Sequence, residues 1–229
     1  PAEVPYDSAT PGDLAHTVDL VRQLGRSVFV EAADVRDHEA LRRVIDGGVE
    51  QLGRLDVVIA NAGVCVPAAW DATSPELFDM VMGVNARGVW STVVLAAPHL
   101  VRAGGGSIIL TSSYAGKKMQ PYMVSYTASK HAVTGMARAF AAELGRHGIR
   151  VNSIHPGAVD TPMGSGDMQQ AMMDAASAAP HLMSMGTTFL TQTTAQAEEV
   201  AAVAAFLASD EAAFVSSEHL GIDGGAHHY

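Results

Sequence analysis

Residues 55–60, Leu55-Asp56-Val57-Val58-Ile59-Ala60, form a near-continuous apolar run closed on each side by turn residues. A strand of this kind is buried on both faces, so helices must lie above and below its sheet. The rest of the chain alternates accordingly. Thr10-Pro11-Gly12-Asp13 reads as a capped helix start, and Leu14, Val18, Val21 and Leu24 recur at helical spacing before Gly25. Residues 27–33 are β-branched and read as a strand, 37–52 as a helix, 74–102 as one long helix and 106–112 as a strand. Then come a helix at 122–147, a strand at 148–154, an Ala-rich helix at 195–209 and a last short strand at 218–223. Strands alternating with helices predict an α/β fold, a parallel sheet with right-handed crossovers. No linker or internal repeat divides the chain, which reads as one domain over residues 1–229.

Composition narrows the function classes. Hydrophobic residues make up 48% of 229 residues, enough for a sizeable core. A net charge of -10 would repel a phosphate backbone, so nucleic acid is not expected as a partner. No uninterrupted apolar run approaches the ~18 residues of a membrane helix, because Pro98 and His99 break residues 89–101; no membrane partner is expected. A single cysteine, Cys65, fits a reducing compartment and a cytoplasmic protein.

Chemistry concentrates at the carboxyl ends of the strands. Tyr126 and Lys130 lie four apart on one helix and share a face. A cation beside a phenol favours the phenolate and should lower the Tyr126 pKa toward neutrality, making a general base. Alone the pair is ordinary helix-surface spacing. Ser113, however, follows one strand, Asn61-Ala62-Gly63 another and Pro156-Gly157 a third, with Thr161 close behind. In a parallel sheet these ends meet at one edge, where ligands bind. Asn85 falls inside a helix, where Asn is unfavourable.

These residues, with Asp34-Val35 and Asp223-Gly224-Gly225, resemble in order and spacing the short-chain dehydrogenases/reductases over nearly the whole chain. The opening at Pro5-Tyr6-Asp7-Ser8-Ala9-Thr10-Pro11, with Thr17-Val18, resembles the mycofactocin-associated, carveol-dehydrogenase-like branch, which oxidises alcohols with tightly held NAD. The resemblance implies a Rossmann-like, doubly wound sheet and a set of roles. Tyr126 would be the acid/base, Lys130 would lower its pKa and bind the nicotinamide ribose, and Ser113 would orient the substrate oxygen. Asn85 would hold a water that relays protons to Lys130. Asp34 and Val35 would contact adenine, Asn61, Ala62 and Gly63 would let the cofactor approach the backbone, and Pro156, Gly157, Val159 and Thr161 would hold the nicotinamide. The cofactor would be NAD, with NADP left open because the strand that selects between them does not occur in the sequence.

The family's Thr-Gly-x-x-x-Gly-x-Gly loop is also absent from these 229 residues. In that fold the first two strands lie between the third and fourth. Without them residues 27–33 would lose their neighbour and the Leu55 strand would keep a bare edge. A β-α-β portion of roughly 40–50 further N-terminal residues is therefore expected.

Other features have plainer readings. His155, His181 and His219 show no metal spacing and are expected in local hydrogen bonds; no metal is expected. Cys65 reads as a packing residue, Lys117-Lys118 as a solvated loop, and His227-His228 as a tag remnant or solvated tail. Residues 160–194, rich in Met, Ser, Thr and Gly, read as a mobile substrate flap outside regular elements, its methionines forming an adaptable lid. Trp70, Tyr114, Met119 and Tyr122 would line the same pocket.

The function expected is an NAD-dependent oxidoreductase interconverting a hydrophobic, carveol-like secondary alcohol and its ketone. The alternatives are an NADPH-dependent ketoreductase and a silent dinucleotide-binding regulator. Small residues on the two long helices, among them Ala96, Ala97, Ala132 and Ala139, permit close helix contacts and an expected homotetramer, with the Asp223-Gly224-Gly225 end near a second interface.

Overall fold

The computed structural model describes residues 4–164 and 166–228. Four parallel strands, β1 (Val57–Ala60), β2 (Gly106–Thr111), β3 (Ile149–Pro156) and β4 (His219–Ile222), lie in the order β1-β2-β3-β4. Side chains alternate across the sheet as strand geometry requires. Ile108 and Leu110 of β2 pack with Val89, Val93 and Leu100 of α4 (Gly88–Ala103) and with Val133 and Ala137 of α5 (Val124–Leu144). Ile109, between them, faces the other way onto Ala204 and Leu207 of α7 (Ala197–Ala208). Helices thus cover both faces, as a Rossmann-like sheet demands.

The helix starts follow the capping residues. In α1 (Pro11–Gln23) the Thr10 hydroxyl accepts from the Asp13 N–H, and the Asp13 carboxylate accepts from the Thr10 N–H. In α2 (His38–Leu52) Asp37 caps the first amides, and Gly53 closes the helix at φ 92°, a conformation open to glycine.

Residues 27–33 do not form the expected strand. A strand exists only against a partner, and here Phe29 instead rests against Gly47 and Gly48 of α2. The outer side of β1 stays unpaired among the described residues, with Ile59 48% exposed.

The long helix expected at 74–102 divides into α3 (Pro75–Met82), a π-helical turn (Gly83–Arg87) and α4. Taken together, Pro75–Ala103 spans 29 residues and is long and apolar enough to cross a membrane, so the sequence reading that no such stretch occurs is corrected. The helix is a core element here: Val81, Val93 and Leu100 are fully buried within the fold.

The flap at 160–194 is more regular than expected. It contains α6 (Asp167–Ala175) and short 3-10 turns at Pro162–Gly164 and Pro180–Gly186. It is tied down at several points. Lys118 Nζ donates to the Met185 carbonyl, the Tyr122 hydroxyl to Ala179 O at 3.0 Å, and the Phe189 N–H to Gly224 O at 2.7 Å. Ser165 of this segment lies outside the described residues.

Candidate active site

Tyr126 and Lys130 sit in the first two turns of α5, and Ser113 follows β2, so the sheet edge and the helix start converge as the sequence predicts. Lys130 Nζ lies 5.5 Å from the centre of the Tyr126 ring. The Ser113 hydroxyl lowers the Tyr126 pKa, but burial dominates and holds the phenol well above its ordinary range. The lowering toward neutrality expected from Lys130 is therefore not found. The cation sits over the ring face, and loss of water is the largest influence on the phenol. Burial likewise pushes Lys130 down to about 8. Its ammonium donates to Thr111 O at 2.9 Å.

Asn85 lies in the π-helical turn between α3 and α4, the kind of irregularity that recurs at functional sites. Its Oδ1 accepts from the Val64 N–H at 2.8 Å, and its Nδ2 donates to Val64 O at 2.9 Å and to Ser129 Oγ at 3.0 Å. Ser129 in turn donates to Tyr126 O at 2.7 Å. Asn85 thus ties the chain after β1 to the turn of α5 that carries Tyr126. Both its N–H groups are committed to the protein. Only the second lone pair of Oδ1 remains for the water relay implied by the resemblance.

Gly63 stands where a side chain would fill this centre: a Cβ there would lie 3.4 Å from Asn85 Oδ1 and 3.5 Å from Lys130 Nζ. Asn61 and Ala62 beside it are exposed. Gly157, after β3, donates to Ile222 O at 3.0 Å and lies so close to Asp223 that a Cβ would come within 2.9 Å of Asp223 Cβ. Pro156 O receives the Ser113 hydroxyl at 3.4 Å. Val159 bridges to Ala195, and Thr161 Oγ1 donates to Val159 O at 3.4 Å.

Asp34 and Val35 stand beside the α3–α4 helix. Val35 packs with Val64, Val81 and Val84, and it touches α4 where Gly88 leaves space. Asp34 is paired with Arg36 at 2.6 Å, and that guanidinium holds its carboxyl below the usual range.

One wall beside Tyr126 is rich in sulfur. Cys65, Met123 and Met168 are buried together, with Met163, Met172, Tyr6 and Tyr126 packed against them. Cys65 Sγ lies 3.3 Å from Met123 Sδ, and burial pushes its thiol up to about 12, so it packs and does not ionise. The flap methionines divide: Met168 is buried and Met172 touches the wall, while Met173 is 58% exposed. Trp70 does not line this wall, being 82% exposed, and Met119 is also exposed. Tyr122 has φ 60°, a costly backbone for a bulky residue, while holding Ala179.

Two other expectations are corrected. Lys117 and Lys118 are not a solvated loop. Lys118 reaches Met185 O and also Ala226 O at 2.7 Å, Lys117 lies 3.3 Å from His227 Nε2, and partial burial lowers both pKa values. His227 is no loose tail: its Nδ1 meets Asp223 Oδ2 at 2.7 Å, and Asp223 is buried. Ser129 is a contributor the sequence did not single out, and His155, expected only in a local hydrogen bond, proves to make it to Ser113 O. A histidine inside an apolar strand, in Ser153-Ile154-His155-Pro156, was the available signal for the latter.

The chain matches the family model described as enoyl-(acyl carrier protein) reductase over residues 6–227. It is 46% identical over 226 residues to a short-chain type dehydrogenase/reductase of Mycolicibacterium smegmatis, covering 96% of this chain and 81% of that protein. The chain belongs to the short-chain dehydrogenase/reductase family. A short-chain dehydrogenase from Mycobacterium paratuberculosis, solved bound to NAD, superposes with a TM-score of 0.98 at 53% identity, over 100% of this chain and 85% of that one. Carveol dehydrogenase from Mycobacterium avium, solved in complex with NAD, gives 0.92 at 39% identity, over 99% and 84%. This short-chain dehydrogenase/reductase is thus an oxidoreductase by family, and its Ser113, Tyr126 and Lys130 stand together at the sheet edge.

Proposed function

We propose that this enzyme is an NAD-dependent alcohol dehydrogenase acting on a hydrophobic secondary alcohol of carveol type and its ketone. The observation that carries the reading is the meeting of Tyr126, Lys130 and Ser113 beside a wall of Cys65, Met123, Met168 and Met172. The wall supplies apolar, adaptable contact and the three polar groups supply proton chemistry. Two NAD-bound relatives and a carveol dehydrogenase among them support the cofactor and the substrate class. The opening at Pro5–Pro11 supports placement in the mycofactocin-associated branch.

The residues present fit a dinucleotide. The absent side chain of Gly63 leaves room directly against Lys130 Nζ, and Thr111 Oγ1 is buried without a partner among the described residues. NAD supplies the hydride acceptor when bound. Asn61, Ala62 and Gly63 admit it to the backbone, Lys130 donates to its ribose, and Pro156, Gly157, Val159 and Thr161 hold the nicotinamide end. Asp34 and Val35 hold the adenine end. Ser113 donates to the substrate oxygen; in oxidation the Tyr126 phenolate, formed once the phenol has lost its own proton, takes the hydroxyl proton, and in reduction the neutral phenol donates to the ketone oxygen. The neutral phenol is already the acid that ketone reduction requires, and oxidation requires its deprotonation. The lone reduced Cys65 supports a cytoplasmic setting, and the exposed Trp90 and Phe78 on the α3–α4 helix support a homotetramer built on that helix and α5.

Protein already loaded with NAD should gain absorbance at 340 nm when carveol is added, in a single turnover if the NAD is held tightly, and protein loaded with NADP far less. Reduction of the ketone by NADPH with no reaction of NAD or NADH would replace this reading by the NADPH ketoreductase. Dinucleotide binding without turnover of carveol or other apolar secondary alcohols would replace it by a silent binder.

A further inference from the structure

A line of five groups runs from the surface of α5 to the backbone of Ser113. Arg138 Nε donates to His219 Nε2 at 2.8 Å. His219 Nδ1 meets Ser153 Oγ at 2.6 Å, Ser153 Oγ meets His155 Nε2 at 2.8 Å, and His155 Nδ1 meets Ser113 O at 2.7 Å. Arg138 is exposed, whereas Ser153 and His155 have no exposed surface.

The direction of every bond follows from the first. A guanidinium only donates, so His219 Nε2 accepts and its proton sits on Nδ1. His219 Nδ1–H therefore donates to Ser153 Oγ, which leaves the Ser153 hydroxyl proton for His155 Nε2. His155 then carries its proton on Nδ1 and donates it to the Ser113 carbonyl, which can only accept. Both rings must be neutral for this order, and burial holds His155 down to about 4 and lowers His219 as well. The charged or titratable neighbours are Lys117, His227 and Glu218 besides Arg138; the cations among them reinforce the neutral state.

Ser113 thus meets two adjacent residues of β3. His155 donates to its carbonyl at 2.7 Å, and the long contact of its hydroxyl with Pro156 O, 3.4 Å, is one the hydroxyl gives up to donate to substrate. Arg138 stands on the same helix as Tyr126 and Lys130, so the line closes a loop from α5 through β4 and β3 back to the serine. We propose that His155 is a positioning residue for Ser113, fixed in its Nδ1–H tautomer by Ser153, His219 and Arg138. The inference rests on the role assigned to Ser113 above.

Nitrogen-15 NMR of histidine-labelled protein reads the tautomers directly, without substrate. Wild type should show His155 and His219 as Nδ1–H at pH 7, and Arg138→Leu should convert His219 toward Nε2–H. In carveol oxidation His155→Leu should lower kcat at least tenfold, with KM for NAD within twofold. His155→Asn, whose amide N–H replaces Nδ1–H, should recover most of that loss. Ser153→Ala should lower kcat two- to fivefold and allow His155 a mixture of tautomers. Should His155→Leu fail to fold, the Ser153 and Arg138 variants decide. Wild-type rings carrying the proton on Nε2, or kcat within twofold in every foldable variant while Ser113→Ala is inactive, would overturn the proposal. Full activity of Ser113→Ala would overturn the serine's role instead, leaving the tautomer result to stand on its own.

Discussion

Asn85 pairs with the backbone of Val64 through two hydrogen bonds, Val64 N–H to Oδ1 at 2.8 Å and Nδ2 to Val64 O at 2.9 Å. A side-chain amide here does the work of a neighbouring strand, holding the chain after β1 against the helix that carries Tyr126. Its place in a π-helical turn explains why an unfavourable residue is kept inside a helix.

Asn85→Leu should therefore destabilise the protein. It leaves the Val64 N–H and carbonyl without their buried partner, a loss on the order of 3 kcal/mol. Urea denaturation followed by circular dichroism measures this. A change below about 0.5 kcal/mol would show that the pairing contributes nothing.

Lys130→Met should trade activity for stability. The folded pKa of about 8 lies below the ordinary 10.5, so the folded state binds fewer protons than the unfolded chain between those values. Stability consequently rises with pH across that window, and the penalty of the buried charge is complete below about 8. Removing the charge recovers roughly 3 kcal/mol at pH 7, less about 1 kcal/mol for the lost bond to Thr111 O. Tm should rise by about 4–8 °C at pH 7, and the gap to wild type should narrow at pH 10. A variant less stable than wild type at pH 7 would contradict the assignment of burial as the cause.

Met172 and Met173 should differ. Met172 packs on the wall beside Tyr126, and Met173 is 58% exposed. Met172→Ser should raise KM for bulky apolar alcohols by the equivalent of about 1–2 kcal/mol, and less for small ones. Met173→Ser should leave both unchanged. Equal losses in the two variants would remove the wall from substrate recognition.

The sequence made the sheet, its capped helices and the convergence of Ser113, Tyr126 and Lys130 legible, because apolar periodicity and motif spacing are local signals. Residues 27–33 carry strand propensity, but pairing is a nonlocal requirement, and the loss of their neighbour that the sequence foresees leaves them without a strand and β1 with a bare edge. Residues 160–194 misled. Their methionines found partners in Cys65 and Met123, distant in sequence, and α6 formed around those contacts. The protonation state of Tyr126 was also illegible, since a four-residue spacing reports a neighbouring cation and says nothing of water excluded from both groups. The sequence places His155 in a local hydrogen bond, which it makes; only the fold shows that the bond falls on Ser113.

The central claim is transfer of the carbinol hydrogen to NAD with Tyr126 as the proton acceptor. Carveol deuterated at the carbinol carbon should yield NADH heavier by one deuterium, detected by mass spectrometry of the recovered dinucleotide. Tyr126→Phe, folded and still binding NAD, should lower the rate of labelling by about 10²–10⁴-fold. Unlabelled NADH, or equal labelling by the Phe variant, would contradict the account.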